Sequence, residues 1–219
     1  HHDTGGLEAL STSEAIPARV ISDALSEAIR SRPVRAAVFT TFSFDPGFFE
    51  LNVLPLLFDY PFSQIEKVRR IQLEDMLQKL ADVAVYYDRS ALSPDAEPAQ
   101  LDFRRIDVSW NPGVFHPKVA FLLVENPQDA DEQEEEARPD SLIVGIFSAN
   151  LTRAGWWENV ESFHFEEVQD KEVDPSRCSF RKDLLSLIRR LKDAALPNER
   201  HIALGRIHDS VSYTHLTLP

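Results

Sequence analysis

His116 and Lys118 sit two residues apart in Phe115-His-Pro-Lys-Val-Ala-Phe121. Alternation along an extended chain sends both side chains to one face of a sheet, while the flanking apolar residues fill the core. About thirty residues on, Gly145-Ile-Phe-Ser-Ala-Asn-Leu-Thr152 leaves another strand through Ser148 and Asn150, which again share a face. If the two strands are neighbours, an imidazole, an ammonium, a hydroxyl and a carboxamide converge. Such a set suits a phosphate: a point cation and neutral donors hold the oxygens while the imidazole attacks phosphorus. Glu161 fits beside His116, accepting a proton from the ring nitrogen that does not attack and so fixing the tautomer. Thr152 completes the set as a substrate-binding candidate with Ser148. No metal and no cofactor are needed in this scheme. Singly, each residue has a plainer reading: His116 as a half-buried strand histidine, Lys118 as a snorkelling edge residue, Asn150 as a turn or helix cap.

The elements that must position these residues can be read from hydrophobic spacing. Ile16 to Arg32 repeats apolar residues with the three-to-four spacing of a helix and stops at Pro33. Arg35 to Ser43 reads as a buried strand, and Asp45-Pro46 supplies an N-cap and first-turn proline for a helix through Phe49, Val53 and Leu57. Ser63 to Leu80 reads as a helix whose inner stripe is Ile65, Val68, Ile71, Leu73, Met76, Leu77 and Leu80. Asp82 to Tyr87, Leu101 to Val108, Phe115 to Val124, Ser141 to Ser148 and Asn159 to Val168 read as strands, with Asn111-Pro-Gly113 turning a hairpin between the second and third of these. Leu151 to Trp157 is a short helical turn, and a last helix runs from Ser176 to Leu196 before Pro197. The order is mixed α/β, without an internal repeat.

Composition bounds the setting. With 36 acidic and 23 basic residues the formal charge is −13, which lacks the basic footprint of a typical DNA-binding domain. Residues 125–140 carry eight acids against one arginine, so this stretch contributes about half of that charge and reads as a mobile acidic insert. The single cysteine, Cys178, excludes an internal disulfide and a four-cysteine zinc site and reads as a small core residue. Together with the absence of a signal segment, it points to a cytoplasmic setting. No apolar run is long enough to cross a membrane. His1, His2, His164, His201 and His208 lack metal-ligand spacing and read as surface residues. Arg189, Arg190 and Lys192 make the last helix locally basic, as expected of a solvated helix end or a polyanion contact. Trp156 and Trp157 read as core and rim, with a stacking surface for a base or lipid as the other use.

The segments HPKVAFLLVE and FSANLTRAGWWENVE together resemble one half-site of the phospholipase D superfamily, with some likeness to its tyrosyl-DNA phosphodiesterase branch. The matching residues run from Phe115 to Glu161. The resemblance implies an α/β half-domain with a mixed β-sheet flanked by helices on both faces. It also implies a phosphodiesterase in which His116 is the nucleophile, Lys118 and Asn150 are phosphate ligands, Ser148 is a small hydroxyl at the site, and Glu161 orients the histidine. Leu123 stands where many members carry Asp, and Phe147 where Gly precedes the Ser. Only one half-site is present, so the second is expected from a homodimer partner or from a missing C-terminal half. Residues 1–15 are then a flexible N-terminal segment and 16–209 a truncated domain. Residues 210–219, which show no helical period and resemble a translated sequencing adapter, form a non-native tail. By itself such a fragment is expected to be inactive. Nucleic acid is the expected substrate, with a phospholipid as the second choice. The reading from another class is a catalytically silent docking or dimerisation module of a helicase- or restriction-associated protein.

Overall fold

The computed structural model describes residues 20–80, 82–92, 96, 98–126, 140–168 and 175–213. Six strands form one mixed sheet: β1 (Val34–Thr41), β2 (Asp82–Asp88), β3 (Arg104–Val108), β4 (Val119–Val124), β5 (Ser141–Phe147) and β6 (Phe163–Val168). Their spatial order is β3-β2-β1-β4-β5-β6. The β3, β2 and β1 half is parallel, with Val38 opposite Ala84 and Tyr86 opposite Ile106. On the other side of β1, β4, β5 and β6 continue as an antiparallel meander, with Phe121 opposite both Val38 and Val144. β1 is therefore where the sheet changes from parallel to antiparallel.

Alternation divides the core between the two sheet faces. Ala37, Phe39, Ala120, Leu122 and Ile143 pack beneath α1 (Ile21–Ile29), the irregular helical segment after β1 and α3 (Glu66–Leu80). Ala36, Val38, Phe121, Leu123 and Val144 face the other way, against Leu184, Ile188 and Leu191 of α4 (Pro175–Ala194) and Leu204 and Ile207 of α5 (Ile202–Tyr213). The fold is α/β with helices on both faces, as the sequence implies. Leu123 points into the α4/α5 layer, so this position could not contribute a carboxylate to a site on the opposite face.

Asp45 opens the helical segment after β1: its carboxylate accepts the Phe48 N–H at 3.0 Å, with Pro46 in the first turn. The helix α2 (Pro46–Phe48) then widens into a π turn, Phe49–Val53, and tightens into a 3₁₀ turn, Leu54–Leu57. Glu50 in the π turn is fully buried. Its carboxylate accepts the N–H groups of Gln100, at 2.8 Å, and of Leu101, at 2.5 Å, and lies 3.6 Å from the Arg70 guanidinium.

That buried carboxylate bears on the orientation of α3, where only part of the apolar stripe read from sequence faces the core: Leu73, Met76 and Leu77 pack there. Leu73 is fully buried and Arg70 nearly so, whereas Ile65 and Ile71 are 65% and 68% exposed and Val68 is exposed too. A charge inside the protein must be paired, and bringing Arg70 to Glu50 turns Ile65, Val68 and Ile71 outward.

Two further expectations are corrected. The expected hairpin of β3 and β4 does not form, because β3 is the outer strand beside β2 while β4 pairs with β1 and β5. Residues 109–118 instead pass over the carboxyl ends of β2 and β1, with Gly113 taking the turn at φ 114°, a conformation glycine adopts without strain. His201, read as a surface residue, is half-buried: its ring stacks on Tyr86 at 12° and Nδ1 lies 2.6 Å from the tyrosine hydroxyl. Burial pushes the tyrosine pKa above its ordinary value and the histidine's below. Helix α5 also runs on through Ser210–Tyr213, where the sequence pattern places no element; Val211 is buried and the Ser212 carbonyl accepts from Arg181 at 2.9 Å. Residues 1–19 and 127–139 and the Cys178 side chain, the subjects of the N-terminal, insert and core-cysteine readings, lie outside what is described. Among the described residues no helix is long and apolar enough to cross a membrane.

Candidate active site

β1 ends, β4 begins, β5 ends and β6 begins at the same edge of the sheet, because β4 and β6 run against β1 and β5. Open α/β sheets bind ligands outside the carboxyl ends of their strands, where the topology switches, and the sequence-selected residues gather there. The last residues of β1 stitch the edge together. Thr40 Oγ1 accepts the Val119 N–H at 2.8 Å, and Thr41 Oγ1 accepts the Leu151 N–H at 3.0 Å while donating to the Ser43 carbonyl at 2.8 Å. The Asp45 N–H donates to the Leu151 carbonyl at 2.9 Å.

His116 and Lys118 lie in the extended approach to β4, not within the strand itself. The approach is anchored upstream by Asp88 at the end of β2, whose carboxylate accepts the Phe115 N–H at 2.7 Å and the Ser90 N–H at 2.9 Å. Downstream, the Phe147 N–H donates to the Lys118 carbonyl at 2.9 Å. Between these anchors the His116 ring is exposed and packs against Phe42, with ring centres 5.3 Å apart. Lys118 is only 7% exposed. Its ammonium lies 3.0 Å from Nε2 and 3.2 Å from Nδ1 of His116. Burial holds the Lys118 pKa below the usual lysine range, and the charge of Glu161 opposes that shift.

Asp88 is pulled the other way. Burial raises its pKa, but hydrogen bonds from the Ser90 hydroxyl and the Phe115 and Ser90 N–H groups outweigh it, leaving the pKa below the ordinary aspartate value. A carboxylate with a depressed folded-state pKa contributes stability that is complete above its unfolded value, about 3.9, and is lost as pH falls through the folded one. Asp88→Asn is therefore expected to flatten the acid side of the stability curve below about pH 4. Urea midpoints of both proteins from pH 7 to 2.5 measure this, and parallel curves would show that Asp88 is not the anchor.

Ser148 and Asn150 follow β5. The Asn150 side-chain oxygen accepts the Ser43 N–H at 3.1 Å and lies 3.4 Å from the Thr41 hydroxyl oxygen. With the oxygen committed to the β1 loop, the group Asn150 can offer a ligand is its amide NH2. Gly155, in the π turn Ala154–Glu158, keeps this backbone in place: a Cβ there would lie 2.5 Å from the Asn150 carbonyl oxygen and 3.0 Å from its nitrogen. Thr152 closes the same turn, its hydroxyl accepting the Gly155 N–H at 3.2 Å. That places it as a turn residue beside the site.

The expected contact between Glu161 and His116 is replaced by another. The Ser148 hydroxyl donates to the Glu161 carboxylate and accepts the Ser162 N–H at 2.8 Å. The reason is strand order: Ser148, just past β5, pairs with Ser162, just before β6, whereas His116 lies on the approach to β4, on the far side of β5. Lys118 sits between them, beside His116 and within the field of Glu161.

Phe42, Thr40, Thr41 and Asp88 were missed by the sequence reading. Polar β-branched residues at the carboxyl end of an apolar strand are the signal that would have found the threonines. Trp156 is buried and Trp157 exposed, the core and rim expected. A cleft of about 420 Å³ opens away from these residues, between α1 and β6, beside Ala24, Glu27, Arg30, Phe163 and Phe165. Among the described residues no group of three or more His, Cys, Asp or Glu could hold a metal ion.

No family model matches the chain, and no curated protein matches it by sequence. Solved structures do resemble it. A variant of yeast tyrosyl-DNA phosphodiesterase matches at TM-score 0.49 and 10% identity, over 84% of this chain and 36% of that one. The unsubstituted yeast enzyme matches at TM-score 0.46 and 9% identity, over 86% and 37%. NucT from Helicobacter pylori matches at 0.42 and 12%, over 80% and 88%. The chain thus spans little more than a third of the yeast enzyme's length.

Proposed function

We propose that the protein is a phosphodiesterase of the phospholipase D-like class, acting on nucleic acid, with His116 as nucleophile. The observation that supports this best is the buried Lys118 ammonium, set against an exposed imidazole and not ion-paired to a carboxylate among the described residues. A buried cation needs a partner, and a phosphate oxygen would supply one while bringing phosphorus to the His116 ring. The Asn150 amide stands as a further donor to the phosphoryl oxygens, and the Ser148 hydroxyl, whose one hydrogen goes to Glu161, would join it only by leaving that carboxylate. In this scheme a ring nitrogen of His116 bonds to phosphorus as the bond to the leaving oxygen breaks. That oxygen takes a proton from an acid supplied by a second half-site, in a partner copy or in the rest of a longer protein. Water then attacks phosphorus, the nitrogen–phosphorus bond breaks, and the proton from water returns to the second site. The likeness of Ser148-Ala-Asn-Leu-Thr-Arg-Ala-Gly-Trp156 to the tyrosyl-DNA phosphodiesterase branch supports nucleic acid over phospholipid.

A half-site that holds the nucleophile but lacks the acid should still react where the leaving group needs no proton. Bis-p-nitrophenyl phosphate releases nitrophenolate, which is stable as an anion. With chelator present, the chain is expected to release one nitrophenolate per protein in a burst and to retain a nitrophenyl phosphoryl group on His116. Stopped-flow absorbance and peptide mass spectrometry measure both. A burst that requires a divalent metal, or an adduct elsewhere, would overturn the mechanism. Absence of any burst or adduct would favour the silent docking module.

A further inference from the structure

Trp157 is 44% exposed although it is the largest kind of apolar side chain and sits on a short connection between two site residues, Asn150 and Glu161. The ring is held from two sides. The edge-on Phe48 ring lies 5.0 Å away at 80°, and the Arg153 guanidinium stands 5.2 Å from the ring centre. Arg153 pairs with Glu158 at 3.1 Å on the exposed face of the turn. The support reaches the site: Phe48 is bonded to the Asp45 cap, and Asp45 to Leu151 beside Asn150. The π turn that carries Trp157 is pinned against the Asn150 backbone at Gly155. Trp157 is four residues from Glu161, so even a fully extended chain would separate their Cα atoms by at most about 14 Å. A solvent-facing indole with a fixed orientation and an adjacent cation is the arrangement with which proteins hold bases of single strands.

We propose that Trp157 and Arg153 form a base-stacking subsite beside the phosphate site, taking one base of a single strand that flanks the bound phosphodiester. Arg153 keeps the indole oriented and meets the neighbouring backbone phosphate. The subsite rests on the phosphodiesterase reading and adds the substrate class to it: a single-stranded nucleic acid, held at one base without regard to its identity, since every base has a stacking face.

The test measures fluorescence anisotropy of the chain with two probes of equal length, an oligo-dT and an abasic deoxyribose-phosphate strand. The wild type is expected to prefer oligo-dT, and Trp157→Ala to weaken oligo-dT binding about 5- to 140-fold, toward the abasic value. Trp157→Phe should restore most of the loss, and abasic binding should not change in either variant. Equal wild-type affinity for both probes would overturn the subsite and leave the phosphate site standing. Loss of both probes on Trp157→Ala, with Trp157→Phe no better, would assign the residue to packing and also overturn it. Binding of neither probe by the wild type would overturn the nucleic-acid reading itself.

Discussion

His116→Asn is expected to abolish the covalent phosphoryl adduct and the nitrophenolate burst, with little change in the affinity for phosphate. Asparagine keeps a polar side chain but has no nucleophilic ring nitrogen, while Lys118 and Asn150 remain to hold the anion. Lys118→Ala should do the reverse: the nucleophile stays, and the burst slows by about 10²- to 10³-fold as the charge that stabilises the phosphoryl oxygens is lost. The ammonium is the working form, and burial sets its pKa below the usual lysine range against the opposing charge of Glu161. The burst rate should therefore fall as pH rises through that depressed value. Glu161→Gln removes the opposing charge, lowers the lysine pKa further, and moves the fall to lower pH. Rapid-quench mass spectrometry of the three variants from pH 5 to 10 measures these effects; an adduct forming at the wild-type rate in His116→Asn would end the assignment.

Glu50→Ala should cost about 3–5 kcal/mol of folding stability, the usual penalty for removing one partner of a buried charged pair. Two backbone N–H groups, of Gln100 and Leu101, would lose the carboxylate that accepts them. Arg70 Nη1, buried and without another hydrogen-bond partner, would lose the counter-charge 3.6 Å away and keep only the link of its other nitrogens to Glu66. Urea denaturation gives the number directly. Glu50→Gln, which leaves one acceptor oxygen, should fall between the two. A loss under about 1 kcal/mol for the alanine variant would show that the carboxylate is not the strut that sets the face of α3.

The convergence of the candidate residues was legible because its signal is local. Period-two spacing marks His116 with Lys118 and Ser148 with Asn150, and these pairs arrive at one edge of the sheet. What could not be read is which distant segments meet. Nothing in the spacing of residues 101–124 says that β3 goes to the outside while β4 enters between β1 and β5, and a proline-glycine turn suits a crossing as well as a hairpin. Likewise the apolar pattern of α3 holds at Leu73, Met76 and Leu77, but at Ile65, Val68 and Ile71 one buried carboxylate in a different element outweighs it. His201 was misread for the same reason: its partner, Tyr86, is 115 residues away. Glu161 was placed at the right edge and against the wrong neighbour, because strand order, not spacing, decides whether Ser148 or His116 receives it.

The stitching at the end of β1 also determines when the site comes into existence. Thr40 reaches Val119 across 79 residues, Ser43 reaches Asn150 across 107, and Thr41 reaches Leu151 across 110. Contacts of such sequence separation form slowly, since the entropy of closing each loop is spent before the contact returns anything. No early hairpin or isolated helix–strand pair can bring together the residues that would hold a phosphate. Phosphate binding at the proposed site should thus report completion of the whole central sheet, because a partly folded molecule, however helical, would lack that site.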